Sequence, residues 1–74
     1  MKLTKTQKEK LNDGFTILTR NYSGDLFALW YSKVTSSFCL EMNAKIIKVT
    51  KTLSPILAKL KKENTQQEYT EILE

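Results

Sequence analysis

Glycine and proline most often interrupt secondary structure, and this 74-residue chain contains only three of them, Gly14, Gly24 and Pro55. Their small number limits the folds that the chain can adopt. A meander of four antiparallel strands needs three tight turns, which commonly use glycine because they require a positive φ. Within residues 15–50 only the turn at 21–25 contains a glycine. This shortage of turn residues favours long helices and predicts an all-α fold.

Apolar side chains from residue 27 onward recur in steps of three and four, which is the spacing of one helix face. The stripe consists of Phe27, Tyr31, Val34, Phe38, Met42, Ile46, Val49 and Leu53. The pattern predicts a small three- or four-helix domain with helices over 7–21, 25–51, 55–63 and 66–73, and with a break allowed near 35–37. The predicted core or dimer seam consists of Phe15, Leu18, Phe27, Trp30, Val34, Phe38, Met42, Ile46, Val49, Leu57 and Leu60.

Local signals mark the start of two of these helices. The segment 6–9, Thr-Gln-Lys-Glu, fits a capping box, in which the threonine hydroxyl and the glutamate side chain satisfy backbone N–H groups. Ser54 followed by Pro55 fits a serine cap with proline at the first helical position, where its missing N–H is not needed.

The same residues also fit strands. Every second residue between 38 and 46 is apolar, and the segments 15–22 and 26–34 can pair as a hairpin around the glycine-containing turn. The alternative fold is therefore a small α+β domain with a β-hairpin or meander at 15–50 and a C-terminal helix.

The length of the chain predicts one domain, 1–74, with 1–5 and 65–74 flexible or peripheral. Its core supplies no more than about 3–5 kcal/mol. Cys39 is the only cysteine and histidine is absent, so an internal disulfide and a His/Cys zinc site are excluded. We therefore expect no metal and no cofactor, and we expect a partner, commonly a second copy of the chain, to add stability.

Cysteine usage and hydropathy predict a cytoplasmic protein. A lone cysteine is typical of a reducing compartment. No apolar run follows Met1-Lys2-Leu3, as a secretory signal would require, and no segment approaches the roughly 18–20 apolar residues of a membrane span.

The chain is not expected to be an enzyme. Nucleophilic catalysis usually pairs an activated side chain with a base, and histidine is absent. Cys39 lies among apolar residues, which predicts a buried, inert thiol. Two glycines ten residues apart cannot form a phosphate-binding loop. No small-molecule substrate is therefore expected.

Lysine dominates the charge of the chain. The formal net charge is +4, and eleven of the twelve basic residues are lysine. The candidate basic binding face consists of Lys45, Lys48, Lys51, Lys59 and Lys62. Lysine attracts phosphates but reads base edges poorly, so one hypothesis is a nucleic-acid-binding protein with a lysine-rich helical face. The bland alternative is a solvated lysine surface encoded by an AT-rich genome.

A second candidate face is apolar and consists of Leu26, Leu29, Trp30 and Tyr31. Aromatic residues are enriched at binding hot spots, although packing both rings in the core is the alternative. The leading hypothesis is a non-catalytic protein-interaction module that acts as an adaptor, regulator or inhibitor by surface occlusion, with a homodimer expected. Small lysine-rich chains of this kind are common among phage and mobile-element accessory proteins, and this association adds a phage origin as an expectation.

Overall fold

The computed structural model describes the backbone of residues 3–63 and 65–73 and the side chains of residues 3–63. Its elements, in chain order, are helix α1 (Lys5–Asn12), strands β1 (Thr16–Asn21), β2 (Leu26–Ser32), β3 (Ser37–Met42) and β4 (Lys45–Thr50), helix α2 (Ser54–Lys62) and strand β5 (Thr65–Leu73). The strands form one antiparallel sheet in the order β4-β3-β2-β1-β5. The protein is therefore a small α+β domain.

The predicted all-α fold is wrong, and so is the description of the chain as helical. Residues 16–50 form a four-stranded meander in place of the helix predicted over 25–51, and the helix predicted over 7–21 ends at Asn12. The segment 66–73, also predicted as a helix, lies in β5. The structure contains the meander and the following helix of the alternative fold, with α1 before them and β5 after them.

Residues other than glycine take the left-handed positions in two of the three turns of the meander. Asn43 and Ala44, between β3 and β4, have φ angles of 51° and 69°, and Ser36, before β3, has a φ of 53°. Only the β1–β2 turn uses a glycine, Gly24, with a φ of 91°. A two-residue turn with both φ angles positive matches the twist of antiparallel strands, and asparagine tolerates this conformation better than most residues. A shortage of glycine therefore does not exclude a meander.

The sheet has two different faces because successive side chains of a strand point in opposite directions. Ile17, Leu29 and Leu40 lie in one row across β1, β2 and β3, and all three are buried. They share one core with Leu11 of α1 and Ile56 of α2. Both helices therefore cover the same side of the sheet, which we call the helix-covered face. The opposite side, the open face, has no helix against it among the described residues.

The predicted core is correct only in part. Phe27 and Leu60 are completely buried, but Val34 is 95% exposed, and Ile46 and Val49 are each 54% exposed. Val34 lies in the β2–β3 turn, and the other two lie on the edge strand β4. The residues at helical spacing therefore do not form one buried surface.

Both helices begin near the predicted signals but are capped differently. The capping box of α1 is formed by Thr4 and Gln7, with Gln7 N donating to Thr4 Oγ1 (3.1 Å) and Thr4 N donating to Gln7 Oε1 (2.9 Å). The box predicted at 6–9 is wrong. Helix α2 has Pro55 in its first turn, as predicted, but Ser54 is part of the helix rather than its cap.

Helix α2 links the two edges of the sheet. Strands β4 and β5 are the outermost strands, and α2 connects them and contacts both. Helix α2 therefore crosses the helix-covered face, and one side of the helix lies beside the edge strand β4.

Candidate functional site

A groove of about 550 Å³ lies between edge strand β4 and helix α2, and we call it the β4–α2 groove. Its lining consists of Ile47, Lys48, Pro55, Ala58, Lys59 and Lys62. Three of these six residues are lysines, and none is acidic. The groove is therefore a concave, positively charged surface built from two elements.

Helix periodicity explains how α2 lines the groove. Its lining residues, from Pro55 to Lys62, are spaced at i, i+3, i+4 and i+7, which places them on one side of a helix. Ile56 and Leu60 lie on another side and are completely buried in the core. The packing of those two residues holds the lysine-bearing side of α2 at the edge of the sheet.

Strand pairing brings Lys48 to the same groove. Lys48 pairs with Leu40, a core residue of β3, so it lies on the helix-covered side of edge strand β4. The register shifts between Leu40 and Glu41, which leaves Ile47 as an extra residue on β4, and Ile47 packs against the core. A bulge and a lysine on an edge strand also discourage edge-to-edge aggregation.

Two of the three groove lysines have no ion-pair partner among the described residues. Lys59 Nζ lies 2.9 Å from Glu63 Oε1, one turn further along the chain. Lys48 and Lys62 make no such contact within residues 3–63. A partly exposed i,i+4 ion pair is worth only about 0.3–0.5 kcal/mol, so Glu63 does not remove Lys59 from the groove.

The structure therefore gathers three of the five lysines of the candidate basic face. Lys51 follows β4, and its Nζ donates to the carbonyl oxygen of Thr35 (2.7 Å), which ties it to the β2–β3 turn. Lys45 is exposed at the start of β4 and does not line the groove. The predicted helical face is wrong in one respect: Lys45 and Lys48 lie on a strand, and only Lys59 and Lys62 lie on a helix.

The candidate hydrophobic face is divided by strand alternation. Leu29 is 2% exposed and belongs to the core, and Tyr31 packs on Phe38 with ring centroids 4.9 Å apart. Leu26 and Trp30 lie on the open face, half-buried. The four residues therefore do not form one surface.

Sequence reasoning also missed residues on both surfaces. In the groove it missed Ile47 and Ala58, since their proximity depends on the packing of α2 beside β4. On the open face it missed Arg20 and Glu41, which lie on the outward side of β1 and β3. The only signal for the open face in the sequence is that both alternating sets of residues in β2 are largely apolar.

Cys39 and the carboxylate side chains are candidate reactive groups in the part of the chain that the structure describes. Within residues 3–63 no three His, Cys, Asp or Glu side chains are grouped to hold a metal ion. Cys39 is buried, and burial, together with the nearby charge of Glu41, raises the pKa of its thiol. No helix of the described chain is long and apolar enough to cross a membrane.

Comparison of the chain with protein-family models, with curated proteins and with solved structures found no match. The function of the protein is therefore inferred from the two surfaces alone.

Proposed function

We propose that this protein binds nucleic acid, without reading its sequence, through contacts of the phosphate backbone with Lys48, Lys59 and Lys62 in the β4–α2 groove. The observation that carries the proposal is the convergence of three lysines from a strand and a helix on one concave surface without an acidic residue in its lining. We propose that this binding function is non-catalytic and that the protein acts in the cytoplasm.

The lysines of the groove can bind a chain of repeated phosphates. Lysine ammonium groups act as flexible point charges, which suit a chain of repeated phosphates. The groove lacks arginine, the usual bidentate reader of guanine, and its lysines read base edges poorly. Phosphate contacts position a nucleic acid but do not select its sequence.

The number of lysines sets the expected salt dependence. Three phosphate contacts correspond to a slope of roughly −2 to −3 in a plot of log affinity against log salt. The affinity is then expected to fall about 20–60-fold between about 50 and about 200 mM salt. Titration of a fluorescent random duplex and of a random single strand at both salt concentrations measures this slope.

A matched pair of triple variants tests the site. Lys48→Gln/Lys59→Gln/Lys62→Gln removes the groove charges and is expected to lower affinity at about 50 mM salt by at least about tenfold and to flatten the salt slope. The control, Lys5→Gln/Lys8→Gln/Lys33→Gln, removes the same total charge at exposed positions outside the groove. It is expected to keep most of the affinity.

Circular dichroism checks that both variants remain folded. An equal loss of affinity in the two variants means that net charge, rather than the groove, attracts the nucleic acid. Unchanged affinity in the groove variant, or no binding by the wild type at either salt concentration, refutes the proposal.

The hypothesis of a protein-interaction module is supported by a different surface. The open face of the sheet carries apolar side chains that the helices do not cover. Such an apolar surface suits contact with another protein chain.

A further inference from the structure

The open face of the sheet is mostly apolar. Its outward-pointing apolar residues on β1–β4 are Leu18, Leu26, Ala28, Trp30, Cys39, Ile46 and Val49, and the polar ones are Thr16, Arg20, Ser32, Ser37 and Glu41. An antiparallel sheet with one face in water normally alternates apolar inward and polar outward residues. The composition of this face is instead that of a surface covered by another layer.

One acidic side chain lies on this apolar surface. Glu41 is half-buried, and its Oε2 accepts a hydrogen bond from Trp30 Nε1 at 2.6 Å. Within residues 3–63 no lysine or arginine forms an ion pair with it. A carboxylate that becomes more deeply buried needs a cation as well as hydrogen bonds. The layer that covers the open face is therefore expected to bring a positive charge to Glu41.

The chain carries such a charge on the same face. Arg20 of β1 pairs with Leu26 of β2, and Glu41 of β3 pairs with Ala28 of β2. Arg20 and Glu41 therefore lie on opposite sides of β2, and their positions differ by two residues, or about 7 Å, along it. An arginine side chain spans that offset.

We propose that the open face binds the open face of a second copy of this chain. A two-fold axis parallel to β2 places β1 of each copy over β3 of the other, so that Arg20 of each copy lies against Glu41 of the other. The interface is self-complementary, as a two-fold dimer requires. The apolar side chains of the two sheets then form a second core between the copies, at the usual separation of about 10 Å.

The charges argue for a second copy over a nucleic acid at this face. The charges of Arg20 and Glu41 cancel, so the described part of the open face has no net attraction for phosphates, and the lysines of the β4–α2 groove lie on the helix-covered side of the sheet. Pairing of the open faces leaves both grooves accessible, so the dimer does not depend on nucleic-acid binding by the groove.

The size of the sheet sets the expected strength of the dimer. Five strands about 4.8 Å apart and about six residues long cover roughly 500 Å² on each copy, or about 1,000 Å² for the pair. This is the lower limit of a specific interface, so we expect a dimer that dissociates on dilution, with a Kd in the micromolar range.

The first test is the molar mass of the full chain by sedimentation velocity between about 1 µM and about 1 mM. We expect a shift from monomer to dimer over this range. Trp30 is the only tryptophan, so its emission reports the same event and is expected to shift to shorter wavelength as the protein is concentrated. A wild-type protein that is monomeric at about 1 mM overturns the proposal.

A charge swap tests the predicted contact. Arg20→Glu and Glu41→Arg place like charges opposite each other, and each is expected to weaken its own homodimer by at least about tenfold. A mixture of the two variants restores opposite charges at both contacts and is expected to form a heterodimer about as strong as the wild-type dimer. Lys33→Glu and Glu9→Arg are the matched controls at exposed positions outside the face, and their dimers are expected to be unchanged.

Circular dichroism checks the folding of each variant, since Arg20 Nη1 also donates to the carbonyl oxygen of Gly24. If both charge variants fold and their mixture stays monomeric, the predicted pairing is wrong. If either variant is unfolded, Ile46→Lys decides, because Ile46 is 54% exposed and its replacement leaves the core intact. A monomeric Ile46→Lys protein supports the open face as the interface, and an unweakened dimer overturns it.

Discussion

Asp25 connects the two turns at one end of the sheet by hydrogen bonds. Its Oδ2 accepts from Asn21 Nδ2 (3.0 Å), and its Oδ1 accepts from Asn43 Nδ2 (3.1 Å). Asn43 Oδ1 in turn accepts from the backbone N–H of Leu26 (3.0 Å). The donors, first Asn21 and then Asn43, hold the pKa of Asp25 below its ordinary value. The ionised carboxylate therefore stabilises the arrangement of these turns.

This network predicts a pH-dependent contribution to stability. The pKa of Asp25 is about 4 in the unfolded chain and lower in the folded one, so its contribution is complete above about pH 5 and is lost as the pH falls through the folded pKa. Asp25→Asn is expected to lower the free energy of unfolding at about pH 7, and the difference from wild type is expected to be smaller at about pH 2. Urea unfolding at both pH values measures the difference.

Asp13→Asn, at the end of α1, is the control for the removal of one carboxylate outside this network. A difference between wild type and Asp25→Asn that is the same at both pH values contradicts the assignment, because it would not depend on the ionised carboxylate.

Among the elements, the β3–β4 hairpin contains an unfavourable backbone position. Ala44 has a φ of 69°, and a left-handed conformation costs a residue with a side chain about 1–2 kcal/mol. The turn consists of only Asn43 and Ala44, so no third residue of the turn can take the left-handed conformation in place of Ala44. The register of β4, and with it the place of Lys48, depends on this two-residue turn.

Ala44→Gly is therefore expected to stabilise the protein. Removing the left-handed alanine recovers about 1–2 kcal/mol. Glycine costs about 0.4–1 kcal/mol because it increases the conformational entropy of the unfolded chain. The expected net gain in the free energy of unfolding is about 0.5–1 kcal/mol. Ala58→Gly, at an exposed position of α2, is the matched control and is expected to destabilise by about 1 kcal/mol. Urea unfolding compares the two, and a loss of stability in Ala44→Gly contradicts the argument.

The spacing of the apolar residues in β2 and β3 fits two kinds of element. Phe27 and Tyr31 are four residues apart on the same side of β2, and Phe38 and Met42 are four apart on the same side of β3. An interval of four fits one face of a helix and also one face of a strand, because four is a multiple of the strand period of two. The apolar stripe therefore cannot distinguish a long helix from two strands joined by a turn.

In the whole molecule, one core joins both helices to the sheet. Leu11 of α1 and Ile56 of α2 pack with Phe27 and Leu40 of the sheet, and each of the four is at most 1% exposed. A core of this size supplies no more than about 3–5 kcal/mol, so each large core residue contributes a substantial part of the stability. Since α2 is held to the sheet by this core, the geometry of the β4–α2 groove depends on it too.

Ile56→Ala is expected to destabilise the protein by about 2–5 kcal/mol, because it leaves a cavity where α2 meets the sheet. Val34→Ala is the control, since Val34 is 95% exposed, and it is expected to change stability by less than about 0.5 kcal/mol. Urea unfolding at a low protein concentration keeps association from adding to the measured stability. Equal effects of the two substitutions would show that α2 does not share the core.

Some properties of this protein follow from the sequence alone. Local chemistry predicts the turn at 21–25, the start of α2 near Pro55 and the burial of Cys39, because each depends on residues close together in the chain. The abundance of lysine, and the candidate positions on β4 and α2, are also visible without a structure.

The arrangement of these parts is decided only by the tertiary structure. Strand pairing separates Leu26 and Trp30 from Leu29 and Tyr31, because alternate residues of a strand point to opposite faces. The packing of α2 beside β4 brings Lys48, eleven residues before Lys59, into the same groove. Spacing along a sequence determines which residues share a face of one element, but which elements become neighbours depends on non-local pairing and on burial in a common core.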